Sequence, residues 1–514
     1  MSRIVLCVAA GLCLSTSGAA DAAPPQKPDG AVEVKDRNGR FTGWGIGIKT
    51  NLLQIVPPGV GAQVDAGRSP LKLTHEYAPR DIDTVAKWEE ARADTRKRIL
   101  GYFGQVPSAK LPLDVKVEAE EDREDLRYRL VSVAFNAEHR GKIGLLIPKG
   151  IPTPAPAVII YDGFGGGIDR LFKGVYSRSF GPHLARCGFV VVGLNHWYDR
   201  YGKSDTLAPL GASTHMATRA VQYLLTQPKL VDPKQIGVFG HTYGGELSPF
   251  AAAMEERIAA CVSSCSGNLS LPREYHFPPW SGRSSGLGCV ARVQPMMMSG
   301  NRPIDVRGTL PFLTQEFLSL IAPRPYLGIQ NDQELHECIR TVWQLYDQAE
   351  ALEAITHKWK ENQPVNARDY MTDFFLTHMR GIQPGKAPEA VVKEILADLK
   401  SGDEAKGLRA IRLAAWWRCK PAKPELVKRL TDKDPAQRRA AAMALERIGA
   451  MKELLPHLTH SDPIVRLTVV EAMQLHGDKE AFDALAEHED DKDKWVRECK
   501  AQTIQVRIYY EDDE

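Results

Sequence analysis

At 514 residues the chain is longer than one ordinary domain, and we expect it to fold as two or three. Hydrophobic residues make up 43% of it and charged residues 25%, as in a globular protein with a large core. The formal net charge of +2 argues against strong attraction to nucleic acid or to an acidic membrane surface. No segment after the N-terminus is long and apolar enough for a membrane span. We therefore predict neither a nucleic-acid partner nor a membrane span.

The N-terminus has the pattern of a secretory signal peptide. Arg3 precedes an apolar run over residues 4–14, and small residues then lead to Ala20-Asp21-Ala22, an A-x-A cleavage pattern. The apolar run is too short to cross a bilayer as a helix. A buried N-terminal helix is the alternative. We predict a signal peptide over residues 1–22 and a secreted or periplasmic mature protein.

The cysteines do not form a disulfide framework. Seven of them follow the predicted cleavage site, an odd number at irregular spacing. Cys261 could pair with Cys265, and either could pair with Cys289, whereas buried free thiols are the alternative. No Cys/His spacing suits zinc, and no nucleotide motif is present beyond a weak glycine run. We predict no metal and no cofactor.

A lead-in over residues 23–115 begins with a Pro-rich linker and carries a predicted helix at 83–103. Between 116 and 386, short apolar strands alternate with helices, which predicts a mostly parallel sheet wrapped by helices. The predicted strands cover 130–135, 142–147, 157–161, 189–195, 236–239, 258–264 and 325–329, and predicted helices include 179–187 and 214–226.

The most informative motif is Gly240-His241-Thr242-Tyr243-Gly244, which follows the apolar strand at 236–239. It matches the G-x-S-x-G pattern of a nucleophile elbow, with threonine in the place of serine. The two glycines occupy positions where a sharp strand-to-helix turn leaves no room for a Cβ atom. The motif predicts that Thr242 is presented above a helix N-terminus.

Residues 83–380 resemble the α/β-hydrolase superfamily, specifically the acetyl xylan esterase and dienelactone hydrolase-like group. The resemblance implies an α/β-hydrolase fold over 116–386 and a small ester or an acylated carbohydrate as substrate. Four blocks in the right order carry it: the strand and glycine loop at 158–167, the elbow at 240–244, the segment 310–325 and a helix near 370–376.

The resemblance implies a role for each of five residues. Thr242 would attack the ester carbonyl, His357 would act as the base, and Asp332 would orient that histidine. The backbone N–H groups of Tyr243 and Phe164 would form the oxyanion hole.

Three positions depart from the family pattern. A β-branched Thr242 fits poorly at a strained turn. Asp162-Gly163 stands where a His-Gly pair is usual, and an acidic side chain would oppose a forming oxyanion. Alignment of the segment after the last strand places Glu361 where histidine belongs, with His357 four residues earlier. The sequence therefore leaves two hypotheses open: a weak ester hydrolase, or an inactive hydrolase fold used for binding.

Other histidines and aromatic residues surround the predicted site. His336 and His378 are alternative bases, although structural roles are the simpler interpretation. Loop aromatics could stack on a sugar or could simply pack against the protein: Tyr161, Trp197, His241, Tyr275, His276 and Trp280.

After residue 387 strand patterns give way to helical repeats. The motif Asp-Pro-x-x-Arg occurs at 434–438 and 462–466, and a related Asp-x-x-x-Arg at 493–497, each preceded by an apolar helix. The pattern resembles short HEAT-type repeats, in which Asp caps a helix and Arg reaches toward a neighbour. Trp416 and Trp417 are predicted at the end of the stack that faces the hydrolase. We predict a separate all-α stack over 387–514 that offers a surface for a protein partner.

Overall fold

The computed structural model describes residues 31–35, 41–46, 82–161, 167–168, 180–195, 209–241, 243–264, 314–329, 333–355, 367–476, 479–488 and 490–501. The predicted signal peptide lies outside them. Near the N-terminus, β1 (Ala31–Lys35) and β2 (Phe41–Ile46) pair as an antiparallel hairpin. None of the helices in the described residues is both long enough and apolar enough to span a membrane.

The centre of the molecule is a nine-stranded sheet in the order β11-β10-β9-β8-β6-β7-β5-β4-β3. The first six strands in this order are parallel, whereas β5, β4 and β3 are antiparallel at the other end. The strands are β3 (Lys116–Asp122), β4 (Leu126–Ala134), β5 (Arg140–Pro148), β6 (Ala155–Tyr161), β7 (Val190–Leu194), β8 (Val231–His241), β9 (Ala260–Ser264), β10 (Tyr326–Ile329) and β11 (Leu352–Ile355).

This strand order is that of an α/β-hydrolase fold with β3 added at the edge, so the predicted fold class is confirmed. All seven predicted strands are present within a few residues. Sequence analysis missed β3, because all seven of its residues are exposed and only Val117 and Ala119 among them are apolar. The helix that precedes β11 was also missed. The last strand was expected to include His357, whereas β11 covers Leu352–Ile355.

Helices cover both faces of the sheet, and alternate residues of β6 show the two sides. Ile159 and Tyr161 belong to the core shared with α1 and α3–α6, whereas Val158 and Ile160 belong to the core shared with α2 and α7. The helices are α1 (Val85–Phe103), α2 (Phe180–Arg186), α3 (Pro209–Leu225), α4 (Tyr243–Met254), α5 (Thr314–Ser319), α6 (Gln333–Gln344) and α7 (Ala367–Arg380).

The C-terminal part is an all-α stack with its own apolar core. It comprises α8 (Glu389–Lys400), α9 (Glu404–Trp417), α10 (Lys423–Arg429), α11 (Pro435–Ile448), α12 (Met451–Leu454), α13 (Pro463–His476) and α14 (Lys479–Glu487), with short 3₁₀ turns at Lys420–Ala422 and Leu455–Thr459 and further helical residues at 494–501.

The repeated Asp and Arg residues have the predicted roles. Asp434 and Asp462 cap α11 and α13, because each carboxylate accepts a backbone N–H at 2.9 Å two residues later. Arg438 reaches Asp462 of the next repeat at 3.1 Å. The next repeat differs in one detail, because Arg466 binds Asp491 at 2.7 Å and not the residue that caps the following helix.

The helical stack packs tightly against the hydrolase domain. Trp416 and Met443 belong to the core cluster that also contains α2 and α7, as the prediction for Trp416 required. Two glycines with positive φ mark the closest approaches: a Cβ on Gly188 would meet the Trp416 ring at 2.9 Å, and one on Gly150 would overlap the Leu408 side chain. The two parts therefore share a common buried interface as well as having cores of their own.

Candidate active site

The carboxyl ends of five parallel strands meet at one edge of the sheet. Tyr161 of β6 pairs in register with Gly240 of β8, and His241 pairs with Ser264 of β9. Ser264 in turn pairs with Ile329 of β10, which pairs with Ile355 of β11. The connections that leave the neighbouring strands β6 and β8 run in opposite directions, toward β7 and toward β9. Ligands of open α/β sheets bind at such points, beyond the carboxyl ends of the strands.

The turn from β8 into α4 is as sharp as the elbow motif predicts. A Cβ on Gly240 would lie 1.8 Å from the carbonyl oxygen of Gly244 and 2.8 Å from the backbone nitrogen of Gly245. These are backbone atoms, which cannot move aside without unwinding the turn. Thr242 itself lies outside the described residues; in the chain it stands between His241, the last residue of β8, and Tyr243, the first residue of α4.

Gly240→Ala is expected to destabilise the protein strongly, by at least about 3 kcal/mol, because the added methyl cannot be accommodated beside the α4 backbone. Gly101→Ala is the matched control: Gly101 lies inside α1, and a Cβ added there would have nothing within 4 Å. That variant is expected to be about 0.5–1 kcal/mol more stable. Urea denaturation of both proteins measures the difference, and equal stability of the two variants would contradict this geometry.

Serine side chains of α4 and the neighbouring strand hold the start of α4 in place. The Ser263 hydroxyl donates to the Gly245 carbonyl at 2.7 Å, and the Ser248 hydroxyl donates to the Val262 carbonyl at 3.2 Å. Both hydroxyls are buried. The first turns of α4 are thus fixed against β9 by two buried hydrogen bonds.

His241, predicted beside the site, lies at the carboxyl end of β8. Its Nδ1 is 3.2 Å from the Ser264 hydroxyl oxygen, within hydrogen-bonding distance. Its ring is also 5.0 Å from the ring of Phe180 on α2. These two contacts orient the imidazole next to residue 242. No sequence pattern pointed to Ser264, because its link to His241 depends on strand register.

The end of the glycine loop after β6 is also anchored. Asn195, which directly follows β7, accepts a hydrogen bond from the backbone N–H of Ile168 at 3.0 Å. Its amide oxygen lies only 2.6 Å from where a Cβ on Gly167 would stand, so that position requires glycine. Asn195 therefore positions the end of the glycine loop, and no sequence motif indicated this role. Asp162, Gly163 and Phe164 precede this anchor and lie outside the described residues.

Tyr161 is structural rather than part of a sugar-stacking surface. Its ring is fully buried, and its hydroxyl donates to the Ser213 carbonyl at 2.7 Å. Burial raises the pKa of Tyr161, so the hydroxyl keeps its proton. Of the other predicted loop aromatics, only His241 is among the described residues.

The other residues predicted to be catalytic lie outside the described residues, but the strands that precede them are described. Asp332 follows the end of β10 by three residues, His357 follows the end of β11 by two, and Glu361 follows it by six. Tyr243 opens α4, so its backbone N–H belongs to the first turn, where helices lack internal acceptors.

Two alternative bases have structural surroundings. His378 Nε2 lies 2.8 Å from a carboxylate oxygen of Glu353 in β11. His336 is fully buried and its ring stacks on Tyr326 at 5.4 Å. Both contacts support the structural roles proposed for these histidines.

Within the described residues, four cysteines are buried thiols that form no disulfide: Cys187, Cys261, Cys419 and Cys499. The proposed pairing of Cys261 with Cys265 or Cys289 is therefore wrong, because Cys261 lies within β9 as part of the apolar core. Burial raises the pKa of Cys187 to about 12, which keeps that thiol unreactive. Within the described residues, no cluster of His, Cys, Asp and Glu could hold a metal ion.

Comparison with known proteins agrees with this architecture. The family model described as HEAT repeats matches residues 392–460. The chain is 26% identical over 257 residues to YtaP of Bacillus subtilis (strain 168), a protein provisionally named as a hydrolase; the match covers 46% of this chain and 80% of that protein.

Two solved esterase structures are also similar to this chain, at lower sequence identity. A carbohydrate esterase family 15 glucuronoyl esterase from Caldicellulosiruptor kristjansonii is 17% identical, with a TM-score of 0.42 and coverage of 59% of this chain and 89% of that one. Methylesterase BT1017 is 18% identical, with a TM-score of 0.40 and coverage of 68% and 78%. Because both TM-scores are below 0.5, the fold assignment rests on the strand order of the sheet. The chain thus joins an α/β-hydrolase fold to a stack of HEAT-like helical repeats.

Proposed function

We propose that the protein is an exported ester hydrolase of the carbohydrate-esterase or dienelactone-hydrolase type, with a degenerate threonine nucleophile. The observation that supports the proposal is the close approach of Gly240 to the Gly244 carbonyl, as in a nucleophile elbow whose central position would be residue 242. The relative provisionally named as a hydrolase supports the class of reaction. A small ester or an acylated carbohydrate is the proposed substrate, and no cofactor is required.

In the proposed reaction the Thr242 hydroxyl attacks the ester carbonyl carbon while a base takes its proton. The backbone N–H groups of Tyr243 and Phe164 bind the oxyanion of the tetrahedral intermediate. Collapse of that intermediate breaks the bond to the alcohol, which leaves with the proton from the base. Water then hydrolyses the acyl-threonine by the same steps. Asp332 orients the base.

The reach of the segment after β11 affects which residue could be the base. β11 lies three strands away from β8, a lateral distance of about 14 Å. His357, two residues past the strand end, can advance by only about 7 Å along its backbone. It would need nearly the full length of its side chain to approach Thr242. Glu361, six residues past the end, can cover the distance, but a carboxylate with a reference pKa of about 4 is a weak base for a hydroxyl.

A second function, an inactive hydrolase fold used for binding, is favoured by the three departures at Thr242, Asp162 and Glu361. Under it the HEAT repeats would supply the surface for a protein partner. One face of the repeats is already occupied by the hydrolase domain, so that partner would use the face opposite Trp416 and Met443.

The decisive measurement is the initial rate of p-nitrophenyl acetate hydrolysis. We expect the wild-type rate to be low and Thr242→Ser alone to raise it little, because the base remains defective. Thr242→Ser with Glu361→His is expected to gain on the order of 100-fold, more than the sum of the single changes, because nucleophile and base act as a unit.

The assayed protein should be the exported form, with its mature N-terminus at Ala23 checked by mass spectrometry. Thr431→Ser, on the exposed surface of the repeats, is the matched control and should leave the rate unchanged. If the wild type turns over rapidly and Thr242→Ala and His357→Ala each abolish that turnover, the site is a working Thr-His pair and not a degenerate one. No turnover in any variant, the double included, would support the binding function.

A further inference from the structure

The interface between the helical stack and the hydrolase domain contains two groups of buried charges. In the first group Arg447 of α11 binds two carboxylates of α7, Asp369 at 2.5 Å and also Asp373. The Arg447 side chain is completely buried. A buried guanidinium is costly unless negative charges and hydrogen-bond acceptors compensate for the water it has lost. The first group meets this requirement with carboxylates from the facing helix.

The second group lies where α9 and α11 approach α2 and the residues just before β4. We call it the arginine cluster, and its members are Arg186, Arg412, Arg438, Arg439, Glu124, Asp125 and Asp462. Asp125 and Asp462 are buried, whereas Glu124 is exposed. Four guanidinium groups therefore face three carboxylates, and the cluster has one positive charge in excess.

Three of the four arginines bind carboxylates of the cluster. Arg186 and Arg439 each bind Asp125 at 2.9 Å. Arg438 binds Asp462 at 3.1 Å. The Asp462 carboxylate also caps α13, where it accepts the backbone N–H of Ile464 at 2.9 Å. The two buried carboxylates are thus already shared among several donors.

Arg412 is the fourth arginine, and it has no carboxylate partner among the described residues. It is 1% exposed. Its Nη1 group donates to the Arg186 carbonyl, whereas its Nε and Nη2 groups find no hydrogen-bond acceptor in the part of the chain that the structure describes. Burial lowers the pKa of Arg412 to about 10, so the guanidinium is still a cation at pH 7. The excess charge of the cluster therefore belongs to a buried side chain with two unpaired donors.

The two unpaired donors of Arg412 point in the same direction. In a planar guanidinium the Nε–H bond and one Nη2–H bond lie along one edge, so a single anion can accept both. A water molecule could accept both hydrogen bonds as well, but it would leave the positive charge without compensation. Only an anion satisfies the donors and the charge together.

We propose that a small monovalent anion of the size of chloride binds along this edge of Arg412 and neutralises the arginine cluster. The anion stabilises the contact between the helical stack and the hydrolase domain, because Arg412 is enclosed only when α9 packs against α2. This site is separate from the candidate active site, and the proposal does not depend on the proposed function.

Replacement of gluconate by chloride at constant ionic strength tests the site in the full-length protein. Gluconate is also monovalent but is too large for a buried position. We expect the midpoint of thermal unfolding of the wild type to rise by about 2 °C or more between about 1 and 200 mM chloride and then to level off. In Arg412→Met, which removes the guanidinium and keeps a long apolar side chain, the midpoint should not depend on chloride.

Arg409→Met is the matched control. Arg409 belongs to the same helix, and it binds Glu394 of α8 at 3.0 Å with its side chain partly exposed. This variant should keep the full dependence on chloride. If Arg412→Met fails to fold, Arg412→Lys takes its place: the ammonium keeps the charge but lacks the planar edge, so the rise should need more chloride. Equal chloride dependence in the wild type and in the Arg412 variant would overturn the stabilising role.

Bromide shows where the anion binds. Crystals of the full-length protein grown in bromide should give an anomalous peak within hydrogen-bonding distance of both Nε and Nη2 of Arg412. A water molecule at this position, with no bromide peak, would overturn the site. The bromide peak therefore decides whether the site exists, and the unfolding midpoints decide whether the anion stabilises the interface.

Discussion

Trp416→Ala is expected to lower the free energy of unfolding of the whole chain by about 3–5 kcal/mol, the usual cost of removing a fully buried large aromatic side chain. Its ring is 1% exposed, and it packs on Gly188, whose φ of +94° and missing side chain make room for it. The indole N–H donates to the Cys187 carbonyl, which would lose this partner. The loss occurs at the interface of the two domains.

Because Trp416 belongs to a core that both domains share, we expect one cooperative transition that moves as a whole to lower temperature. Differential scanning calorimetry of the full-length protein measures this. Trp417→Ala is the matched control: the neighbouring ring is only half-buried, so less than half the loss is expected. Two separate transitions, of which only one shifts in Trp416→Ala, would show that the domains unfold independently.

The same interface should make the protein less stable as the pH rises from about 6.5 to about 8. Glu446 lies inside it, and burial, with added repulsion from Asp369 and Glu471, raises its pKa to about 8. Arg368 and Arg447 oppose the shift but do not cancel it. In the unfolded chain the carboxyl would titrate near its ordinary value of 4.5. Glu446 is therefore a neutral acid in the folded protein at pH 7.

The direction of this pH dependence follows from the number of protons that the folded and unfolded states bind. Between pH 4.5 and about 8 the folded state holds a proton that the unfolded state has lost, so stability falls with rising pH. The slope is on the order of 1 kcal/mol per pH unit. Two buried histidines act in the opposite direction below pH 6.5: burial lowers the pKa of His215 to about 4 and depresses that of His183 strongly. Because an unfolded histidine is still half protonated at pH 6.5, the contribution of Glu446 is obtained from the difference between the wild type and Glu446→Gln.

Glu446→Gln is expected to abolish most of this slope and to be more stable than the wild type above pH 8. Urea midpoints of both proteins at pH 6.5, 7.25 and 8 measure it, and the histidine contribution cancels in the difference. Glu394→Gln, on the exposed surface of α8, is the control and should leave the slope unchanged. Parallel curves for wild type and Glu446→Gln would mean that the Glu446 carboxyl is ionised in the folded protein.

The sequence by itself determined the local features of both domains. Short apolar runs marked the buried strands, because a strand covered on both faces needs continuous apolar residues. The glycines at 240 and 244 marked the elbow, since only glycine allows that approach of backbone atoms. The Asp caps at 434 and 462 marked the repeats, because a capping carboxylate must lie within two or three residues of the N–H groups it binds.

The contacts between distant parts of the chain were decided only by the tertiary structure. Arg447 and Asp369 are 78 residues apart, and no periodicity links them, so neither could be assigned a partner from the sequence. The link between His241 and Ser264 depends on the register of β8 and β9. The exposed strand β3 escaped prediction because sheet pairing, not burial, holds it in place. Local chemistry acts through neighbours in the chain and is visible there, whereas the interface that holds α7 exists only once both domains have folded.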